Sequence, residues 1–228
     1  MANKINRQTH DIYVHGYQNK FRNSQEAFEY FYDFINRYGY EQSNTRSMFN
    51  VGFTITNPEE YNIDTPFRKW NPTYAEREWN WYLSGDQNAN DIAKYAPIWN
   101  NMMDDKGNVN SNYGWHWQQN NQLDYVINEL TNNPDSRRAS ISIYNAKDRY
   151  NFENDTPCTY AINFSITEDK LYMSVMMRSN DLWYGFCNDQ YCFIQLQKLV
   201  AEKLNLQLGT YYHFANNLHI YNDKLNKN

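Results

Sequence analysis

Apolar residues recur at three- and four-residue spacing in two long stretches of the chain. Over residues 23–38, Phe28, Phe31, Ile35 and Tyr38 form one stripe, which predicts an amphipathic helix. Asn23 can cap that helix with Glu26 in the reciprocal capping-box position, and Gly39 is a natural stop. Over residues 188–204, Phe193, Leu196, Val200 and Leu204 give the clearest helical spacing. Residues 75–83 read as a short helix ending near Gly85. Residues 121–130 read as another, with Leu123, Ile127 and Leu130 on one side and an NPDS turn after it. Alternation with a period of two marks strands at 139–144, 160–166 and 171–177, the last two joined as a hairpin through TEDK. Residues 51–56 alternate weakly, residues 210–221 are strand-rich, and residues 104–112 have the composition of a loop. The order of elements lacks the βαβα rhythm of a doubly wound sheet and predicts an α+β domain.

Composition narrows the picture. At 228 residues the chain fits one large domain or two small ones and can bury roughly 70% of its unfolded surface, so it needs no disulfide or metal staple. Aromatic residues make up 18% of the chain, enough to fill a core and still line a pocket. The net charge of -5 argues against direct nucleic acid binding, while a local basic cluster can still hold one phosphate. Three cysteines, Cys158, Cys187 and Cys192, are no disulfide framework and fit a reducing, cytoplasmic compartment. No run of eighteen apolar residues predicts a membrane span, and the opening MANKINRQTHD lacks the apolar run of a signal peptide. No metal-ligand pattern, P-loop or dinucleotide fingerprint is present, so no metal is expected.

The residues with chemical potential are few. Cys158 follows Pro157 just ahead of a predicted strand, and a thiolate there would be a strong nucleophile if positive charge lay nearby. Arg178 ends the returning hairpin strand, which would bring it back toward Cys158. The competing reading is an inert buried thiol. Arg137 and Arg138 follow the NPDS turn, and Arg178 and Ser179 form a second donor set. Forked guanidinium donors suit a phosphate, and two such clusters in an acidic chain point to a small phosphorylated ligand. Glu78 lies among Trp79, Trp81 and Tyr82, where burial would raise its pKa and suit it to proton transfer. His219 and Tyr221 are two apart in a strand, share a face and could bond a sugar hydroxyl.

Taken together, EWNWY, NSNYGWHW, NPDSRR, PCT, MRSNDLWYGFCND and LHIY run in this order from about residue 76 to 221. In order and spacing they resemble the thymidylate synthase superfamily, with the likeness strongest to the bacteriophage deoxycytidylate (dCMP) hydroxymethylase branch. The first 75 residues match much less. The resemblance implies one thymidylate synthase-like catalytic domain over 1–228, with a large mixed sheet flanked by helices and a sheet face forming a homodimer interface. It implies Cys158 as the nucleophile on pyrimidine C6 and Glu78 as the organiser of water and protons at the ring. It implies Arg178 and Ser179 as phosphate ligands, with Arg137 and Arg138 reaching across the dimer to the neighbour's phosphate. His219 and Tyr221 match the residues that hold the sugar 3′-hydroxyl. Asn163, where glutamine is usual, matches a substrate-side position. Trp99, Tyr113, Asp181 and Gly185 match positions beside the pterin and the bound ring. The implied co-substrate is 5,10-methylenetetrahydrofolate.

Asp189 is the residue that separates the branches. The synthases carry asparagine there, which pairs with uracil, whereas the hydroxymethylases carry aspartate. Cytosine presents an N3 acceptor and a 4-amino donor, an edge that a proton-sharing carboxyl group complements. The resemblance therefore implies 5-hydroxymethylation of dCMP. A methylase of the same family, a ribonucleotide enzyme and a nucleotide-binding homologue without turnover are the alternatives. Thr159 follows the cysteine where synthases have histidine, as in the hydroxymethylase branch, and Cys187 and Asn188 replace proline and phenylalanine. Arg46 is the candidate for the N-terminal phosphate-loop arginine. The sequence stops soon after LHIYND, where relatives continue with a helix and a tail that closes over the folate.

Overall fold

A computed structural model describes residues 19–147, 152 and 154–227. The N-terminal opening discussed above lies outside them. The elements run β1 (Asn19–Phe21), α1 (Ser24–Tyr38), β2 (Tyr40–Gln42), β3 (Thr45–Ile55), α2 (Pro72–Ser84), α3 (Tyr113–Gln118), α4 (Gln122–Asn132), β4 (Ser140–Ser142), β5 (Thr159–Thr167), β6 (Lys170–Met177), β7 (Asn180–Asp181), α5 (Cys187–Leu204) and β8 (Gln207–Tyr221). Short 3-10 turns at Ile92–Lys94 and Pro97–Asn101 lie between α2 and α3, and a π-turn at Leu182–Phe186 leads into α5.

The strands form one mixed sheet in the order β1-β3-β8-β6-β5-β4, with β2 added to β3 and β7 added to β8. β8 is the hub. It pairs antiparallel with β3 along Thr45↔Tyr221 to Ile55↔Tyr211, and parallel with β6 and β7. The helices cover one face, and α1 and α5 bury the aromatic core there. Phe31 lies 4.8 Å from Phe53 between ring centroids, and Phe53 lies 5.7 Å from Phe186. Each fully buried side chain of this size contributes about 1.5–3 kcal/mol. α5 also carries polar pins inside the core: Ser24 Oγ donates to Gln190 Oε1 at 2.6 Å, and Gln197 Nε2 donates to the Leu171 carbonyl at 2.8 Å.

Local chemistry explains most boundaries and corrects some. The Glu26 N–H donates to Asn23 Oδ1 as expected, but Glu26 Oε2 accepts from the Arg22 N–H rather than that of Asn23. Gly39 stops α1 in an extended conformation, not a left-handed one. A Cβ there would stand 2.5 Å from the Ile35 carbonyl oxygen, so glycine is needed for close approach. The β5–β6 turn is tighter than a four-residue connection, because Glu168 and Asp169 alone span it with φ of 51° and 57°. Strands β3 and β8 are longer than their alternation predicts. In β8 the buried positions are Gly209, Tyr211, His213 and Ala215, then Leu218 and Ile220. The inward phase therefore changes parity at Asn216 and Asn217, opposite Asn50, whose φ is 55°.

Candidate active site

Cys158 sits one residue ahead of β5, and Arg178 one residue beyond β6. The hairpin brings them together: the Arg178 N–H donates to the Cys158 carbonyl at 2.8 Å, and Arg178 Nη2 stands 3.8 Å from Cys158 Sγ. Arg178 also donates from Nε to the Pro157 carbonyl at 3.0 Å and from Nη2 to the Thr156 carbonyl at 2.7 Å. The guanidinium thus organises the loop that presents the thiol. Asp155 anchors the other side of that loop, accepting from the Ser111 N–H and Oγ–H at 2.7 and 2.6 Å. The NSNYG segment is thereby tied to the cysteine loop.

Around the thiol stand carboxyl groups from three elements. Cys158, Asp181 and Asp189 each keep some exposed surface yet are largely enclosed. Burial pushes the Cys158 thiol up to about 11; Arg178 pulls it down, and Asp189, Asp155 and Asp181 push it further up. Burial raises Asp189 to about 7, against the hydrogen bond that Asn180 Nδ2 donates to Asp189 Oδ2 at 2.7 Å. Asp181 is raised by burial to about 6 while it accepts from the Trp183 and Tyr184 N–H groups at 2.9 and 3.3 Å, capping the π-turn. Glu78, inside α2, is buried; burial and then the charge of Asp189 raise it to about 8. Glu78 Oε1 accepts from Tyr82 Oη at 3.2 Å, and buried Oε2 has no hydrogen-bond partner. Two carboxyl groups thus lie near neutrality, Asp189 beside the thiol and Glu78 within reach of the Asp189 charge, an arrangement suited to moving protons.

The other expected residues distribute unevenly. Tyr113 is buried against Phe193, with 5.6 Å between ring centroids, and it feels the charges of Asp189 and Cys158. Trp99 donates its indole N–H to Tyr74 Oη at 3.0 Å, and Tyr74 lies one turn before Glu78 on α2. Gly185 leaves room for a bond: a Cβ there would stand 3.1 Å from Asn180 Nδ2 and 3.2 Å from Asp189 Oδ2. Asp181 pairs with His219 across β7 and β8, and Ser179 follows Arg178 directly. His219 and Tyr221 face each other edge to face at 5.5 Å, and the charges of Asp181 and Cys158 raise Tyr221 after burial does. Arg137 and Arg138 are exposed on the approach to β4. Asn163 is exposed on the far face of the sheet, beside Ser165, Ser174 and Tyr212. A register shift between Thr159 and Ala161 puts it there, because it separates Asn163 from the inward phase of Thr159. Arg46 donates to the Asn36 carbonyl at 2.6 Å and to Glu41 at 3.1 Å.

Sequence reasoning missed Asn180, Tyr211 and His213. His213 Nε2 stands 3.1 Å from Asn180 Oδ1, and Tyr211 Oη 2.7 Å from His213 Nδ1. The hydrophobic run of β8 gave no sign that its histidine meets Asn180, the partner of Asp189. The only available signal was a histidine at an inward strand position.

A thiol thus stands beside a guanidinium at the end of a hairpin, on a mixed sheet whose helices cover one face. The chain belongs to the thymidylate synthase family, whose sequence model matches residues 28–228. It is 40% identical over 147 residues to the deoxycytidylate 5-hydroxymethyltransferase of Enterobacteria phage T4, an alignment covering 60% of this chain and 58% of the phage protein. The phage T2 protein of the same description matches equally. It is 27% identical over 189 residues to the thymidylate synthase of Bacillus subtilis subsp. natto, covering 78% of this chain and 67% of the synthase. The chain thus spans 58% of the length of the phage relatives. Among the described residues, no helix is long and apolar enough to cross a membrane, and no His, Cys, Asp or Glu group is arranged to hold a metal ion.

Proposed function

We propose that the protein is a folate-dependent one-carbon transferase that converts dCMP to 5-hydroxymethyl-dCMP. The observation that carries this reading is Asp189, a largely enclosed carboxyl group raised to about 7 beside the Cys158 thiol, in a chain 40% identical over 147 residues to phage deoxycytidylate 5-hydroxymethyltransferase. Near neutrality such a group can donate to cytosine N3 and accept from the 4-amino group.

In this reading Arg178 and Ser179 hold the 5′-phosphate, joined by Arg137 and Arg138 of a second copy of the chain. The open face of the sheet, which carries Asn163, Ser174 and Tyr212, is the surface through which the two copies pair. Asn163 then serves the substrate only through that interface. His219 and Tyr221 bond the sugar. Cys158 adds to C6, and Asp189 steadies the ring edge as negative charge spreads toward N3. When bound, 5,10-methylenetetrahydrofolate would supply a one-carbon unit at the formaldehyde oxidation level, leaving tetrahydrofolate. Its fit to this chain is supported by the orphaned Glu78 Oε2, and the family resemblance assigns Trp99, Tyr113, Asp181 and Gly185 to its side of the site. Glu78 takes the C5 proton and then orders the water that adds to the exocyclic methylene carbon. Release of Cys158 restores the aromatic ring.

The broader coverage of the Bacillus synthase favours one second reading, in which hydride replaces water and the product is a methyl-pyrimidine nucleotide. Mass spectrometry of the product from dCMP and methylenetetrahydrofolate separates the two, since hydroxymethylation adds about 30 Da and methylation about 14 Da to the nucleotide. Tritium release from C5-labelled dCMP is expected from the native chain and not from Cys158→Ala. Release that persists in Cys158→Ala, or binding without release in the native chain, overturns the proposal.

A further inference from the structure

Buried histidines inside a sheet are costly unless both ring nitrogens find partners. His213 has two, and they form a chain that ends on Asp189. Asn180 Nδ2 donates to Asp189 Oδ2 at 2.7 Å, so Asn180 Oδ1 faces His213 Nε2 at 3.1 Å. A carbonyl oxygen only accepts, and Nε2 must therefore carry the imidazole proton. His213 Nδ1 is then the acceptor, and Tyr211 Oη donates to it at 2.7 Å. The ring is fully buried between Phe53 and Phe186, at 5.1 and 5.4 Å between centroids.

This chain of bonds has one other self-consistent sense. With the proton on Nδ1, His213 would donate to Tyr211 and accept from Asn180 Nδ2, leaving Asn180 Oδ1 to accept from a protonated Asp189 Oδ2. The difference matters because a neutral carboxyl group is ambiguous. In the alternative sense the Oδ2 proton is committed to Asn180, so Asp189 offers the ring acceptors only: cytosine N3 loses its donor, whereas uracil N3–H keeps an acceptor. In the observed sense Oδ2 is held as an acceptor, and Oδ1 alone can carry the proton.

We propose that His213 is a positioning residue for base selection: through Asn180, its Nε2–H tautomer fixes which oxygen of Asp189 accepts, and so makes the reading of the pyrimidine edge single-valued. The role in selection rests on Asp189 as the base-reading residue; the tautomer itself does not. Gly185 fits the same design, since a side chain there would press on the Asn180–Asp189 bond.

Two measurements test this separately. In the ligand-free chain labelled with 15N-histidine, His213 should show a protonated Nε2 and a bare Nδ1, and Tyr211→Phe should weaken that preference. A protonated Nδ1, or a doubly protonated ring at pH 7, overturns the assignment whatever the enzyme does. For selection, His213→Phe preserves ring volume between Phe53 and Phe186 but lets the Asn180 amide turn over. The ratio of kcat/KM for dCMP to that for dUMP should fall about tenfold, the scale of one mispaired buried hydrogen bond, while the summed activity on both changes less. An unchanged ratio in a folded His213→Phe chain refutes the relay. A native chain that binds dCMP and dUMP equally refutes the base-reading role of Asp189 and leaves the tautomer result standing.

Discussion

Replacing Glu78 by glutamine should reverse the sign of its effect on stability as pH rises. In the folded chain the Glu78 carboxyl is raised to about 8, chiefly by burial and then by Asp189, from an ordinary value of 4.5. The folded state therefore holds a proton that the unfolded chain has already released. Stability from this group is full below pH 4.5 and is lost as pH climbs toward 8, with a ceiling of about 5 kcal/mol. Glutamine keeps an oxygen for Tyr82 Oη but places an amide where Oε2 has no partner, at a pH-independent cost of about 1 kcal/mol. Between pH 6 and 8 the native chain should lose about 2 kcal/mol relative to Glu78→Gln. Urea unfolding at fixed protein concentration reads this as a midpoint difference that widens by about 1 M over the same interval. If the two chains keep a constant separation, to within about 0.5 kcal/mol, from pH 6 to 8, Glu78 is not a buried acid and its assignment as the proton carrier loses its physical basis.

Gly114→Ala should lower stability by about 3 kcal/mol or more, since its methyl would collide with the Tyr82 carbonyl oxygen where α3 meets α2; a melting temperature equal to the native one would show that this junction yields. Mixing the inactive Arg137→Ala/Arg138→Ala and Cys158→Ala chains should restore about a quarter of native turnover, because half of randomly paired dimers contain one intact shared site; no restoration, with mixed dimers confirmed by mass, would rule out sharing of the arginines.

Much of this architecture is written locally. The stripe of Phe28, Phe31 and Ile35 needs only helical periodicity to declare its buried face, and α1 forms there with Asn23 at its cap. The alternation of residues 160–166 and 171–177 similarly dictates a hairpin, and a hairpin of equal arms must return Arg178 to Cys158. Tertiary structure decided what local periodicity leaves undefined, namely which way each alternating face points. Asn163 shares parity with Thr159, yet the bulge after Thr159 sends it to the opposite side of the sheet. His213 and His219 share parity in β8, yet the slip at Asn216 and Asn217 buries one in the core and leaves the other partly exposed. Nor does local sequence carry the acidity of Glu78 and Asp189, which lie 111 residues apart and acquire it only when α2 and α5 pack together and exclude water. Periodicity is a property of neighbours along the chain, whereas facing and desolvation belong to neighbours in space, and only folding brings the latter into existence.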